Sequence, residues 1–138
     1  MALFSFPGSR PANLGIHGGR LAPCPALPNC VSSDAADAVH ATHPFELAAA
    51  PAEAWRLLRS LLADLPRTKL VTATSDYVHA ECSSAVFGFV DDLELHLRPS
   101  HGIIAVRSAA RRGYSDLGVN RKRVEKLRSL LAKQGILK

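Results

Sequence analysis

Between Val106 and Arg123 the chain reads Val-Arg-Ser-Ala-Ala-Arg-Arg-Gly-Tyr-Ser-Asp-Leu-Gly-Val-Asn-Arg-Lys-Arg, a run with five arginines, two serines and two glycines beside Tyr114, Asp116 and Asn120. Guanidinium donors on an irregular connection with backbone freedom suit the capture of carboxylates and phosphates. Arg121, Lys122 and Arg123 fall in the first turn of a helix expected from Asn120 to Gln134, where the macrodipole already presents positive charge. Such a placement calls for compensation. An internal acid (Asp116, Asp91 or Asp92) would supply it, as would a bound anion on the free N–H groups of the helix start. Asp116 lies close in sequence to Arg111 and Arg121 and suits the internal arrangement.

A second reactive setting is Pro28-Asn29-Cys30-Val31-Ser32-Ser33-Asp34, a turn that surrounds a thiol with short hydrogen-bonding side chains. Cys30 is a candidate nucleophile if a cation lowers its pKa and His40 or His43 serves as base. Alternatively, Asn29, Ser32 and Ser33 satisfy backbone groups that no ladder reaches. Cys24, Cys30 and Cys82 are odd in number, which implies free thiols rather than a paired framework. The gaps among Cys24, Cys30, His40 and His43 match no familiar zinc spacing, so neither a metal nor a cofactor is expected. Asp91 and Asp92 are adjacent and would point to opposite faces of a strand, which makes them a turn or bulge rather than an acid/base pair; one of them could turn inward to meet an arginine.

The elements that must position these groups are legible in part. Pro51 and Glu53 open an amphipathic helix carrying Trp55, Leu58, Leu61, Leu62 and Leu65, and Pro66 stops it. Strand-like runs cover 69–74, 77–82, 85–90, 93–97 and 103–108, with a short one over 43–47. In Leu93-Glu94-Leu95-His96-Leu97 the strict alternation predicts one apolar face and one wet face. Turn residues between the runs imply an antiparallel meander. Asn120 is the expected N-cap of the last helix, and Gly135 its stop. The fold class is therefore α+β: an antiparallel sheet of four to five strands with two helices on one face. An irregular arm, rich in Pro and Gly and frayed at its start, is expected over 1–42, wrapped on an α+β domain over 43–138.

Charge is unevenly spread. Of 17 Lys and Arg in the 138 residues, eleven lie from Arg98 onward against two acids, Asp116 and Glu125, while the middle of the chain is acidic. That field favours an anionic small molecule or an acidic protein face. Only Tyr114 offers a stacking surface within the basic segment and no reading motif is present, which ranks nucleic acid last. No apolar stretch is long enough for a membrane span, and the start resembles no signal peptide, so the cytoplasm is the expected location.

Three blocks in order, Pro28 to Ser33, Phe87-Gly88-Phe89-Val90-Asp91-Asp92, and Arg107-Ser108-Ala109 through Gly113 to Arg121, resemble the bacterial and plastid domain of unknown function 1499, from about Arg10 onward. At Ala110 the family pattern has serine, so this chain offers no hydroxyl there. The resemblance implies no settled activity. It does imply that the Cys30–Ser33 turn packs against Arg107 or Tyr114. The expected function is a small binding or scaffold domain that holds an anion through Asn29, Ser32, Ser33, Arg107, Arg111, Tyr114, Asp116, Asn120 and Arg121; the alternative is a thiol enzyme built on Cys30.

Overall fold

The computed structural model describes residues 3–138; the expectation of a frayed start, where it concerns residues 1 and 2, lies outside them. Ten elements follow in order: β1 (Ile16–His17), β2 (Arg20–Leu21), β3 (Cys30–Ser32), β4 (Phe45–Glu46), α1 (Pro51–Asp64), β5 (Thr68–Ala73), β6 (Tyr77–Ser83), β7 (Val90–Arg98), β8 (Ile103–Ala110) and α2 (Val119–Lys133), with a 3₁₀ turn at Pro99–His101. Strands β5 to β8 form the expected antiparallel meander. Beyond β8 the sheet continues with β3, and β4 also pairs with β8. The architecture is α+β, an open antiparallel sheet with both helices against it. Among the described residues no helix is long and apolar enough to cross a membrane.

Alternation along the strands assigns one sheet face to the core. Val78, Ala80, Leu93, Leu95, Ile104 and Val106 pack there against Trp55, Leu58 and Leu62 of α1 and Val124, Leu127 and Leu131 of α2. Helix α1 starts on Pro51 and carries Glu53 in its first turn, and the Trp55 indole N–H donates to the Thr74 carbonyl at 2.9 Å. Gly135, left-handed at φ 75°, ends the α2 region as expected, with its N–H on Ala132 O and the Ile136 N–H on Leu131 O.

Three local expectations are corrected. Residues 85–89 are not a strand, and of the expected run only Val90 is, as the first residue of β7: Ser84 and Phe89 close a turn on each other through backbone and hydroxyl hydrogen bonds of 2.8 and 3.0 Å, and Gly88 turns left-handed at φ 65°. Asp91 and Asp92 lie in regular strand register opposite Ala110 and Ala109, with no bulge between them. Asn120 is not the N-cap; the carboxylate of Asp116 reaches forward to the N–H groups of Gly118 and Asn120 at 2.8 and 3.1 Å.

Candidate functional site

The second sheet face departs most from the sequence-based picture. Tyr77, His79 and Glu81 on β6 stand beside His96, Glu94 and Asp92 on β7, which in turn stand beside Arg107 and Ala109 on β8. The face is polar as expected, yet it is not wet: Glu94 is 0% exposed and Asp92 1%. The N-terminal segment covers it. Gly15 N–H donates to Glu94 Oε2 at 2.8 Å, Pro23 O accepts from Arg107 at 3.2 Å, and Arg98 grips Asp34 with two bonds of 2.7 and 2.8 Å.

Buried charges must be paired to be tolerated, and here each is. The Tyr77 hydroxyl donates to Glu94 Oε2 at 2.6 Å, and Arg107 Nη1 reaches Glu94 Oε1 at 3.4 Å. Burial, then the Glu94 hydrogen bond, hold the Tyr77 hydroxyl far above the ordinary phenol range. Arg111 Nε and Nη2 meet the two oxygens of Asp92 at 2.7 and 2.8 Å, Nη2 also reaches Glu81, and His79 Nε2 lies 2.7 Å from Asp92 Oδ1. Burial pushes the Asp92 carboxyl up, but Arg111 and His79 outweigh it and hold the group below the usual range; Glu81 is lowered likewise by Arg111 and Arg10.

Sequence reasoning missed the closest approach to a metal-binding set. Donor atoms of His79, Glu81 and Asp92 lie within 4.8 Å of one another, a mixture that divalent transition metals accept. Arg111 fills that role electrostatically, because its guanidinium engages both carboxylates. The available signal was the run of ionisable residues at every second position of two neighbouring strands, 77, 79, 81 and 92, 94, 96.

The arm and the arginine loop do meet. Cys30, Val31 and Ser32 pair with Ala109, Ser108 and Arg107, and the Asn29 side chain donates to Gly113 O at 2.9 Å. Most of the expected ligand-holding residues are occupied with the protein itself. Ser33 Oγ accepts from Val106 N–H at 2.9 Å and Ser32 Oγ from Asp34 N–H at 3.1 Å. Arg121 donates to Ala41 O and Val39 O at 2.9 and 3.0 Å, and does not pair with Asp116. Asn120, 0% exposed, accepts from Ser108 Oγ and Arg123 Nη1 at 2.6 and 2.7 Å. Tyr114 is exposed. Two buried polar atoms, Asn29 Oδ1 and Arg107 Nε, have no protein partner among the described residues.

The free-thiol expectation is corrected: Cys30 is joined to Cys24 in a disulfide with Cα atoms 5.7 Å apart, and the buried Cys82 is the free cysteine. The two lie six residues apart, a separation that the zinc spacings could not turn into a pairing. A sulfur held in a disulfide has no thiolate to offer. Closing a loop this small stabilises the fold by roughly 2 kcal/mol in the chain-entropy account. Thiol titration of the unfolded chain should therefore count one thiol before reduction and three after, and urea unfolding with reductant should register that loss.

At the end of the sheet, where the β6–β7 turn, the last residue of β8 and the start of α2 converge, lies a cleft of about 690 Å³. Arg67, Arg112 and Arg123 line it together with Asp91, Asp116, Phe89, Leu117 and Val119. Asp91 points to the helix side of the sheet and pairs with Arg123 at 2.8 Å; burial raises its carboxyl above the ordinary range despite that arginine. Arg67 (φ 51°) and Leu117 (φ 54°) are left-handed although neither is glycine, and both border this cleft. Left-handed backbone at non-glycine residues is costly and concentrates where a site holds it.

A family model described as "Protein of unknown function (DUF1499)" matches residues 20–131. No curated protein and no solved structure matches the chain.

Proposed function

We propose that this chain, which belongs to the DUF1499 family, is a binding domain whose ligand is a small anion carrying an apolar group, held in the cleft at the end of the sheet. One observation carries the reading. The arginines of the C-terminal third are largely answered from within: Arg98 by Asp34, Arg107 by Glu94, Arg111 by Asp92 and Glu81, Arg123 by Asp91, and Arg128 by Glu125. Arg67 and Arg112 have no carboxylate partner among the described residues, and both line the same cleft as Phe89, Leu117 and Val119. Two unanswered guanidinium groups beside an apolar wall suit a phosphate or carboxylate with a hydrocarbon part. Asn29, Ser32, Ser33, Arg107, Arg111, Asn120 and Arg121 act in this reading as positioning residues beneath the loop. Asp116 shapes the cleft by fixing the start of α2. The Cys24–Cys30 bridge supports a compartment oxidising enough to keep it, so the cytoplasm is not carried into this reading.

Calorimetric titration with octyl phosphate, inorganic phosphate and octanol tests it. Octyl phosphate should saturate the protein, inorganic phosphate should bind more weakly and octanol not at all. The pair Arg67→Gln and Arg112→Gln should weaken octyl phosphate by about tenfold or more, the scale of one lost charged hydrogen bond, while the urea midpoint stays put. Absence of octyl phosphate binding, or binding unchanged in the double variant, would overturn the reading.

A further inference from the structure

One corner of the molecule is built to display aromatic rings. Phe4 and Phe6 donate backbone N–H groups to Val86 O and Phe87 O, both at 2.9 Å, which straps the chain's start along the β6–β7 turn. The four rings of Phe4, Phe6, Phe87 and Phe89 then stand in one cluster with centroids 5.5 to 6.5 Å apart. Stacking does not bury them: they remain 53%, 43%, 46% and 43% exposed, with Leu3 and Val86 exposed alongside. Hairpin tips ordinarily carry polar turn residues, and exposed apolar patches mark interaction sites.

The surroundings specify the partner's charge. Arg112 lies along Gly8, where an added Cβ would sit 2.9 Å from Arg112 Cγ and where φ is +73°. Arg67 is tied to the base of the turn by its backbone carbonyl, which accepts the Ser83 N–H at 2.9 Å. The nearby acids are engaged: Asp91 with Arg123, Asp116 with the start of α2, and Glu81 with Arg10 and Arg111. Aromatic rings on loop tips, flanked by arginines without a carboxylate partner among the described residues, meet the demands of a headgroup–hydrocarbon boundary.

We infer that this corner docks on the surface of an anionic lipid bilayer, the phenylalanines entering the interface and Arg67 and Arg112 facing the headgroups. The inference shares Arg67, Arg112 and Phe89 with the cleft reading but stands on the aromatic cluster. Phe4 and Phe87 lie outside the cleft lining, so their loss tests docking alone.

Co-sedimentation with vesicles of phosphatidylcholine mixed with phosphatidylglycerol, and of phosphatidylcholine alone, is the experiment. The protein should pellet with the anionic vesicles only, and added salt should release it. The double variant Phe4→Ser, Phe87→Ser should stay in the supernatant with its urea midpoint and octyl phosphate titration unchanged. In an otherwise native chain, Phe4→Trp should shift its emission to the blue on anionic vesicles. Failure of the native protein to pellet, pelleting of the serine variant like the native chain, or an unshifted Phe4→Trp emission would overturn the inference. So would a dimer in sedimentation velocity that the serine variant splits, which would assign the patch to a second copy of the chain.

Discussion

Arg111→Met is expected to lower folding stability by roughly 3–5 kcal/mol at neutral pH, the cost of removing one partner from a buried ion pair. The side chain is 5% exposed and its main partner, Asp92, 1%. Methionine retains comparable bulk, so the loss is chiefly electrostatic. Asp92 would keep only His79, and Glu81 only Arg10. Acid should narrow the deficit, and the sign follows from the two directions of shift. In the native chain the Asp92 and Glu81 carboxyls are held below their ordinary values. Their stabilising contribution is complete above the ordinary carboxyl pKa of about 4 and is lost as pH falls through the depressed folded values. In the variant burial acts on Asp92 without Arg111 to oppose it, the folded value rises, and protonation relieves the fold as pH falls. Urea unfolding at neutral pH and near pH 4 should show the gap between the two proteins shrinking. A gap independent of pH would mean that Arg111 acts by packing alone.

The same residue shows how far the sequence reading reached. Trp55 and the leucines of α1, and the alternation in β7, were legible because a core-facing stripe has a period that sequence carries on its own. The same alternation puts Glu94 and His96 on a solvent-facing side, since it tells which residues share a face but not what covers it. The cover here is a segment of prolines and glycines without periodicity, whose Gly15 N–H and Pro23 carbonyl reach the sheet at residues 79 and 84 positions away. Arg111 stands out in sequence for its basic neighbours, whereas its partners Glu81 and Asp92 lie on strands whose pairing alone brings them close. The cleft is less legible still. Arg67 carries no motif, and the block around Phe89 reads as a strand rather than as a cleft wall, so only the convergence of three chain segments sets both beside Arg112.

Asn120→Ala is expected to cost about 2–4 kcal/mol, a sum of lost buried hydrogen bonds and the space left behind. The amide joins three parts of the fold. Its oxygen accepts from Ser108 on β8 and from Arg123 one helical turn ahead, and its nitrogen donates to Asp116 at 2.8 Å and to the Asn29 carbonyl at 3.4 Å. Alanine breaks the tie between arm, sheet and α2, and frees Arg123 from one of the groups that hold it toward Asp91. Octyl phosphate affinity should fall with stability, because the cleft takes its wall from Arg123 and from the loop that Asp116 anchors. Asn120→Asp separates the two halves of the role. An aspartate can still accept from Ser108 and Arg123, but it places a second carboxylate against Asp116, whose own carboxyl the Asn120 side chain and the Gly118 and Asn120 N–H groups hold low against the upward push of burial. At neutral pH the two anions repel. As pH falls through the carboxyl range one of them takes up a proton, becomes a donor to the other, and restores the missing bond. The aspartate variant should therefore regain stability on mild acidification while the alanine variant does not, since alanine has neither group to protonate.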